Sequence, residues 1–111
     1  MRVLVDSSIW VAYFRGAGDL ATVDWLLEDG LIVTNELILA ELTPALLVRN
    51  ESRLAGLLGD VECVPLRPDW DDIIRMQVAC LRNGINKVGI PDLLVAQNAV
   101  QNDLILLTLD R

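Results

Sequence analysis

Four short apolar runs separated by helical patterns constrain this chain more than any other feature. Val3-Leu4-Val5, Leu31-Ile32-Val33, Val61 to Leu66 and Leu104 to Leu109 carry the strand signal. Near-continuous apolar runs of this kind belong to strands buried on both faces, as in a parallel sheet. Residues 8–15, 19–29, 36–49, 51–59, 69–82 and 91–102 read as helices between or after them. Strands alternating with helices predict an α/β fold. The expected architecture is a mostly parallel central sheet of about four strands, flanked by helices in three layers.

The helix boundaries have local chemical causes. On residues 19–29, Leu20, Val23, Leu26 and Leu27 share one face, and Gly30 supplies the stop. Asn35 is placed to cap the helix from Glu36 to about Arg49. Pro44 should kink that helix, because it removes a donor and crowds the preceding turn. Asp69, Asp71 and Asp72 suit the positive end of the next helix, which Asn83 and Gly84 close. A loop over 85–90 leads to Pro91, a residue suited to a first helical turn. No linker or internal repeat divides residues 1–111, so a single domain is expected. The fourth strand would lie at an open edge, so a closing strand or helix is expected after Arg111.

Composition narrows the chemistry. The chain has 111 residues and no histidine. A Ser–His–Asp triad, a Cys–His dyad and a His-ligated zinc site therefore cannot be built from it. Sixteen acids outweigh nine bases, eight of them Arg, for a net charge of −7. That balance does not favour gripping a phosphate backbone by charge alone. A nucleic-acid role would need a local basic patch or bound cations. Cys63 and Cys80 are too far apart for a paired metal motif and are expected to be buried, reduced thiols. No apolar run is long enough to span a membrane, and residues 1–5 are too short for a signal peptide. A cytoplasmic protein is expected.

Catalysis, if present, must rest on carboxylates, and four of them stand in unusual contexts. Asp6 ends the first apolar run and Asp110 ends the last. Both fall at the carboxyl ends of parallel strands, where open α/β sheets bind ligands. Glu41 has Leu37, Ile38 and Ala45 as helical neighbours, so it interrupts an apolar stripe. Glu36 lies about 140° around the same helix and is expected to be exposed. Asp92 opens a helix whose next face is Val95, Ala96 and Ala99. Each acid has an ordinary alternative. Asp6 suits a helix cap, Asp92 a first-turn acid, Asp110 a turn and Glu41 an ion pair. All four together, however, fit one site. Acids gathered without enough bases repel one another, and a divalent cation removes that repulsion. All-oxygen ligands point to Mg²⁺ or Mn²⁺. The hydroxyls of Ser7, Ser8 and Thr108 are placed to orient Asp6 and Asp110.

These segments resemble PIN-domain ribonucleases, specifically the VapC-type toxins of prokaryotic toxin–antitoxin pairs. The resemblance rests on Val-Leu-Val-Asp6-Ser-Ser-Ile-Trp10 and Thr34-Asn-Glu-Leu-Ile-Leu-Ala-Glu41. It continues through Ile90-Pro-Asp92-Leu-Leu-Val-Ala and Leu106-Leu-Thr108-Leu-Asp110. Order and spacing agree over essentially the whole chain. The family pattern continues past its fourth acid with a further segment, strand and helix.

The resemblance implies that Asp6, Glu41, Asp92 and Asp110 are both the metal ligands and the catalytic quartet. Ser8 and Thr108 would support them and the bound Mg²⁺ or Mn²⁺. It further implies metal-assisted hydrolysis of RNA, leaving a 5′-phosphate and a 3′-hydroxyl. The implied partners are an RNA substrate, a VapB-type antitoxin and a second copy in a homodimer, with no membrane. Apolar helices 8–14 and 19–29 are candidate contacts, although core packing also accounts for them. Arg15, Arg49, Arg53 and Arg82 are candidates to flank a substrate groove. A haloacid-dehalogenase-like reading would need Asp where Ser8 stands. A receiver domain would need Lys after a late strand, and the single Lys, Lys87, falls in a loop. A catalytically inactive or truncated PIN module that acts by binding its antitoxin or by dimerising is the alternative.

Overall fold

The computed structural model describes residues 1–109. Three-residue strands β1 (Val3–Val5), β2 (Ile32–Thr34) and β4 (Ile105–Leu107) join the two-residue β3 (Glu62–Cys63) in one sheet. All pairings are parallel, in the order β3-β2-β1-β4. The helices are α1 (Ser7–Phe14), α2 (Leu20–Glu28), α3 (Glu36–Val48), α4 (Ser52–Asp60), α5 (Trp70–Arg82) and α6 (Ile90–Gln101). The expected α/β architecture is present.

Strand order explains where a ligand site belongs. The chain builds outward from β1 to β2 and β3, then returns to place β4 on the other side of β1. This reversal makes a crevice beyond the carboxyl ends of β1 and β4. Val3, Leu4 and Val5 are all buried, so both faces of the central strand are covered. Trp10 is fully buried, and its ring stacks on Phe14 at 5.6 Å between centroids.

Local chemistry sets most boundaries as expected. Asn35 caps α3, its Oδ1 accepting from the Ile38 amide at 2.9 Å. Asp69 caps α5 through the Asp72 amide at 3.2 Å. Gly30 adopts φ +65° after α2, a left-handed turn that glycine adopts without steric cost. α3 runs unbroken across Pro44. Pro44 and Ala40 are both exposed, so the proline lies on the solvent side of α3.

Three expectations need correction. The third strand is shorter than 61–66, because Pro65 has no donor and Glu62 and Cys63 are exposed at the sheet edge. Cys63 is exposed and Cys80 is half-buried, so neither is the buried thiol expected; both are free. Glu41 is exposed and does not sit on the core stripe. That stripe is Ile38, Leu42 and Leu46, and Glu41 lies at its edge, facing the crevice.

Candidate active site

Asp6 follows β1 directly and occupies the N-cap position of α1, yet its side chain makes no cap hydrogen bond. Its Oδ2 instead accepts from the Ser8 hydroxyl at 2.9 Å and from the Thr108 hydroxyl at 3.0 Å. The Leu109 amide donates to Ser8 Oγ at 3.2 Å, and the Asp6 amide donates to the Leu107 carbonyl at 3.0 Å. Side-chain and main-chain bonds thus tie the end of β1 to the end of β4. Asp6 is only 8% exposed, so its carboxylate is an oriented group set into the crevice floor.

Asp92 stands in the first turn of α6. Its Oδ2 accepts from the Gly89 amide at 3.0 Å, which satisfies one orphan donor of the helix start. The ordinary first-turn role and a place in the crevice are therefore compatible. Glu41 reaches the same space from α3. Asp6, Ser8, Arg15, Glu41 and Asp92 line one cleft of about 460 Å³. Asp110 lies outside the described residues.

The charges interact. Partial desolvation, followed by the negative charges of Asp6 and Asp92, holds the Glu41 carboxyl above its ordinary range. Among the described residues the only ion pairs are Arg2–Glu62 and Arg75–Asp72, so none of the three acids is neutralised by a base. The three line one cleft without closing around a point, and no three described acids or cysteines form a ready-made ion cage. Their donor chemistry fits a divalent cation that prefers oxygen: hard, mutually repelling carboxylate oxygens, with Glu41 and Asp92 open to solvent.

A buried polar link supports this arrangement and has only a weak sequence signal. Asn35 Nδ2 donates to Asn98 Oδ1 at 3.0 Å, and Asn98 Nδ2 donates to the Pro65 carbonyl at 3.1 Å. Both asparagines are almost fully buried. The bond fastens the start of α3 to α6, the two helices that carry Glu41 and Asp92. Asn98 in an apolar helical run was the available hint. Gln97 adds bonds to the Asp69 carbonyl at 3.1 Å and to Asp72 Oδ2 at 2.9 Å, docking α5 on α6.

The basic residues separate in space. Arg15 lines the acidic cleft, and Arg49 lines an adjoining cavity that shares Val11, Arg15 and Glu41 with it. Arg53 and Arg82 line neither. Lys87 lines a third cavity, on the other side of Asp6 and Asp92.

Residues 3–111 match the family model of the PIN domain. The chain belongs to the PIN domain family. Its fold is shared with solved structures of distant sequence. A chain of the VapBC2 complex from Rickettsia felis, crystallised on a promoter DNA fragment, superposes with a TM-score of 0.77 at 20% identity. That match covers 99% of this chain and 88% of the other. A chain of the DNA-bound VapBC complex from Salmonella typhimurium gives 0.74 at 15% identity, covering 96% and 84%. No curated protein sequence matches this PIN domain.

Proposed function

We propose that this PIN domain is a divalent-metal-dependent endoribonuclease, the toxin of a VapC-type toxin–antitoxin pair. The observation that carries the reading is the meeting of Asp6, Glu41 and Asp92, from three separate elements, in one cleft with no base among the described residues paired to them. Asp6, Glu41 and Asp92, with Asp110 as the fourth acid, would hold Mg²⁺ or Mn²⁺. Bound there, the metal would supply a water of lowered pKa and neutralise phosphoryl charge.

The chain's own groups have separate tasks. Ser8 and Thr108 hold one oxygen of Asp6 and leave the other for a ligand. Gly89 does the same for Asp92. Without histidine, no imidazole pair activates the ribose 2′-hydroxyl, so the products should carry 5′-phosphate and 3′-hydroxyl ends. That both structural neighbours come from VapBC complexes supports a VapB-type antitoxin as partner. A homodimer belongs to the same reading; exposed Trp70, Ile74 and Leu81 on α5 form a surface of the kind that partners cover. No described helix is long and apolar enough to cross a membrane.

Purified protein should cut RNA when Mg²⁺ or Mn²⁺ is added and lose that activity as Asp6→Asn. Absence of both cleavage and metal-induced stabilisation would overturn the reading and favour a PIN module that acts by binding alone.

A further inference from the structure

Asn35 and Asn98 form a joint between the two helices that carry Glu41 and Asp92. Asn35 stands six positions before Glu41 and Asn98 six positions after Asp92, so about 9 Å of helix separates the joint from each acid. Each amide both accepts and donates. Asn35 takes the Ile38 amide and gives to Asn98, which in turn gives to the Pro65 carbonyl. Gln97 and Gln101 bond α6 to Asp69 and to the Arg67 carbonyl, so three amide side chains fasten that helix to the segment before α5. Among the described residues, the Asn35–Asn98 contact is the only hydrogen bond that joins α3 to α6.

A buried amide pair gives up its hydration, and an apolar pair of similar size would fill the space without that loss. Electrostatics gives the amides a task that packing alone does not perform. No described base is paired to Asp6, Glu41 or Asp92 in their shared cleft, so without a cation they repel one another. The helices that carry them must be held in place against that force. A directional bond fixes angle as well as distance. The acids also stay apart: no three described acids or cysteines are grouped closely enough to cage an ion.

We propose that the Asn35–Asn98 joint is a positioning element that holds Glu41 and Asp92 apart and so makes the cleft prefer a small, hydrated divalent cation over a larger one. The inference rests on the nuclease reading for the presence of a metal and deepens it to the choice of ion. Mg²⁺ gives up its waters reluctantly and binds through one or two carboxylates, whereas Ca²⁺ gathers about six to eight oxygens in flexible geometry. Acids held apart suit the first ion, and acids free to close suit the second. The joint is sensitive because of its leverage. A helix tilt of about 5° there moves an acid 9 Å away by about 0.8 Å. That exceeds the roughly 0.5 Å within which a binding group must be held.

Calorimetric titration of Mg²⁺ and of Ca²⁺ into the metal-free full chain tests this, with melts to establish that each variant is folded. Asn98→Ala removes the joint. Asn35→Ser removes it and keeps the helix cap, since Ser caps as well as Asn but ends one bond short of Asn98. In both, the ratio of Mg²⁺ to Ca²⁺ affinity should fall about tenfold or more, the usual scale for groups that orient metal ligands. The double variant should fall no further, because a single bond is lost. Gln97→Ala breaks the bonds to Asp69 and Asp72 and weakens the fold, yet should leave the ratio unchanged. An unchanged ratio in both joint variants, or an equal fall in Gln97→Ala, would overturn the proposal and leave the nuclease reading standing. A ratio that depends on the joint in a chain that never cuts RNA with Mg²⁺ or Mn²⁺ would uphold the joint and sink the nuclease reading.

Discussion

The Thr108 hydroxyl donates to Oδ2 of Asp6 at 3.0 Å, across 102 positions of sequence. It shares that oxygen with Ser8, whose hydroxyl also lies 3.5 Å from Thr108 Oγ1. Asp6 is thereby turned away from the helix it begins and fixed toward the crevice. A carboxylate held on one oxygen presents the other in a defined direction, which favours a ligand over a cap.

Asp6→Asn should abolish metal-dependent RNA cleavage and the rise in Tm that Mg²⁺ or Mn²⁺ produces. The fold should survive, because Asp6 supplies no cap bond to α1 and the amide oxygen of Asn still accepts from Ser8 or Thr108. Activity assays paired with thermal melts with and without metal check this. Loss of the metal-free fold in Asp6→Asn would contradict it.

Ser8→Ala and Thr108→Val should each lower metal affinity or activity about 10- to 100-fold, the usual effect of freeing a ligand from its orienting bond. The double substitution should cost less than the product of the two, since both hydroxyls serve one oxygen. Metal titrations of the three variants supply the comparison. Full additivity would argue that the hydroxyls act on separate groups.

Glu41 predicts a pH dependence whose sign follows from linkage. Its carboxyl titrates above the ordinary range in the folded chain, so the folded state holds that proton more tightly than the unfolded state does. Its contribution to stability therefore falls as pH rises from the ordinary carboxylate range through the raised folded value. Above that range the charged group opposes folding of the metal-free chain. Glu41→Gln should accordingly stabilise metal-free protein at neutral pH, by less than about 1 kcal/mol for so exposed a group, and raise its Tm. At low pH, where Glu41 is protonated in both states, the gain should vanish. Melts across pH decide it; a Tm lowered at neutral pH would be the contrary result.

Asn98→Ala should destabilise the chain by about 1–3 kcal/mol, because it strands the buried Asn35 amide and the Pro65 carbonyl. Asn98→Leu should do no better, since Asn35 remains unpaired. Denaturant unfolding measures both. A cost near zero would mean that water replaces the lost partner.

Much of the fold was legible in the order of apolar runs. The β1 and β2 signals, the cap at Asn35, the acids that open α5 and the stop at Gly30 depend on residues within a few positions of one another. The 61–66 run forms a strand only at Glu62–Cys63, because pairing depends on a neighbouring strand and on solvent at the sheet edge. Glu41 lies off the core stripe: periodicity gives the angle between side chains but not the direction of the core. Only α3 packing against α1, α4 and α6 sets that direction.

By themselves, the residues determined the chemistry available: no imidazole, an excess of carboxylates, and acids at strand ends in an alternating α/β chain. These follow from composition and from short-range periodicity, which need no distant partner. Tertiary structure alone decided which groups meet. Parallel pairing of β1 with β4 brings Thr108 to Asp6, and the Asn35–Asn98 bond links the helices that carry Glu41 and Asp92. It also placed Arg15 and Arg49 on adjoining cavities beside the acids, because a cavity forms where elements pack and no local pattern encodes its walls.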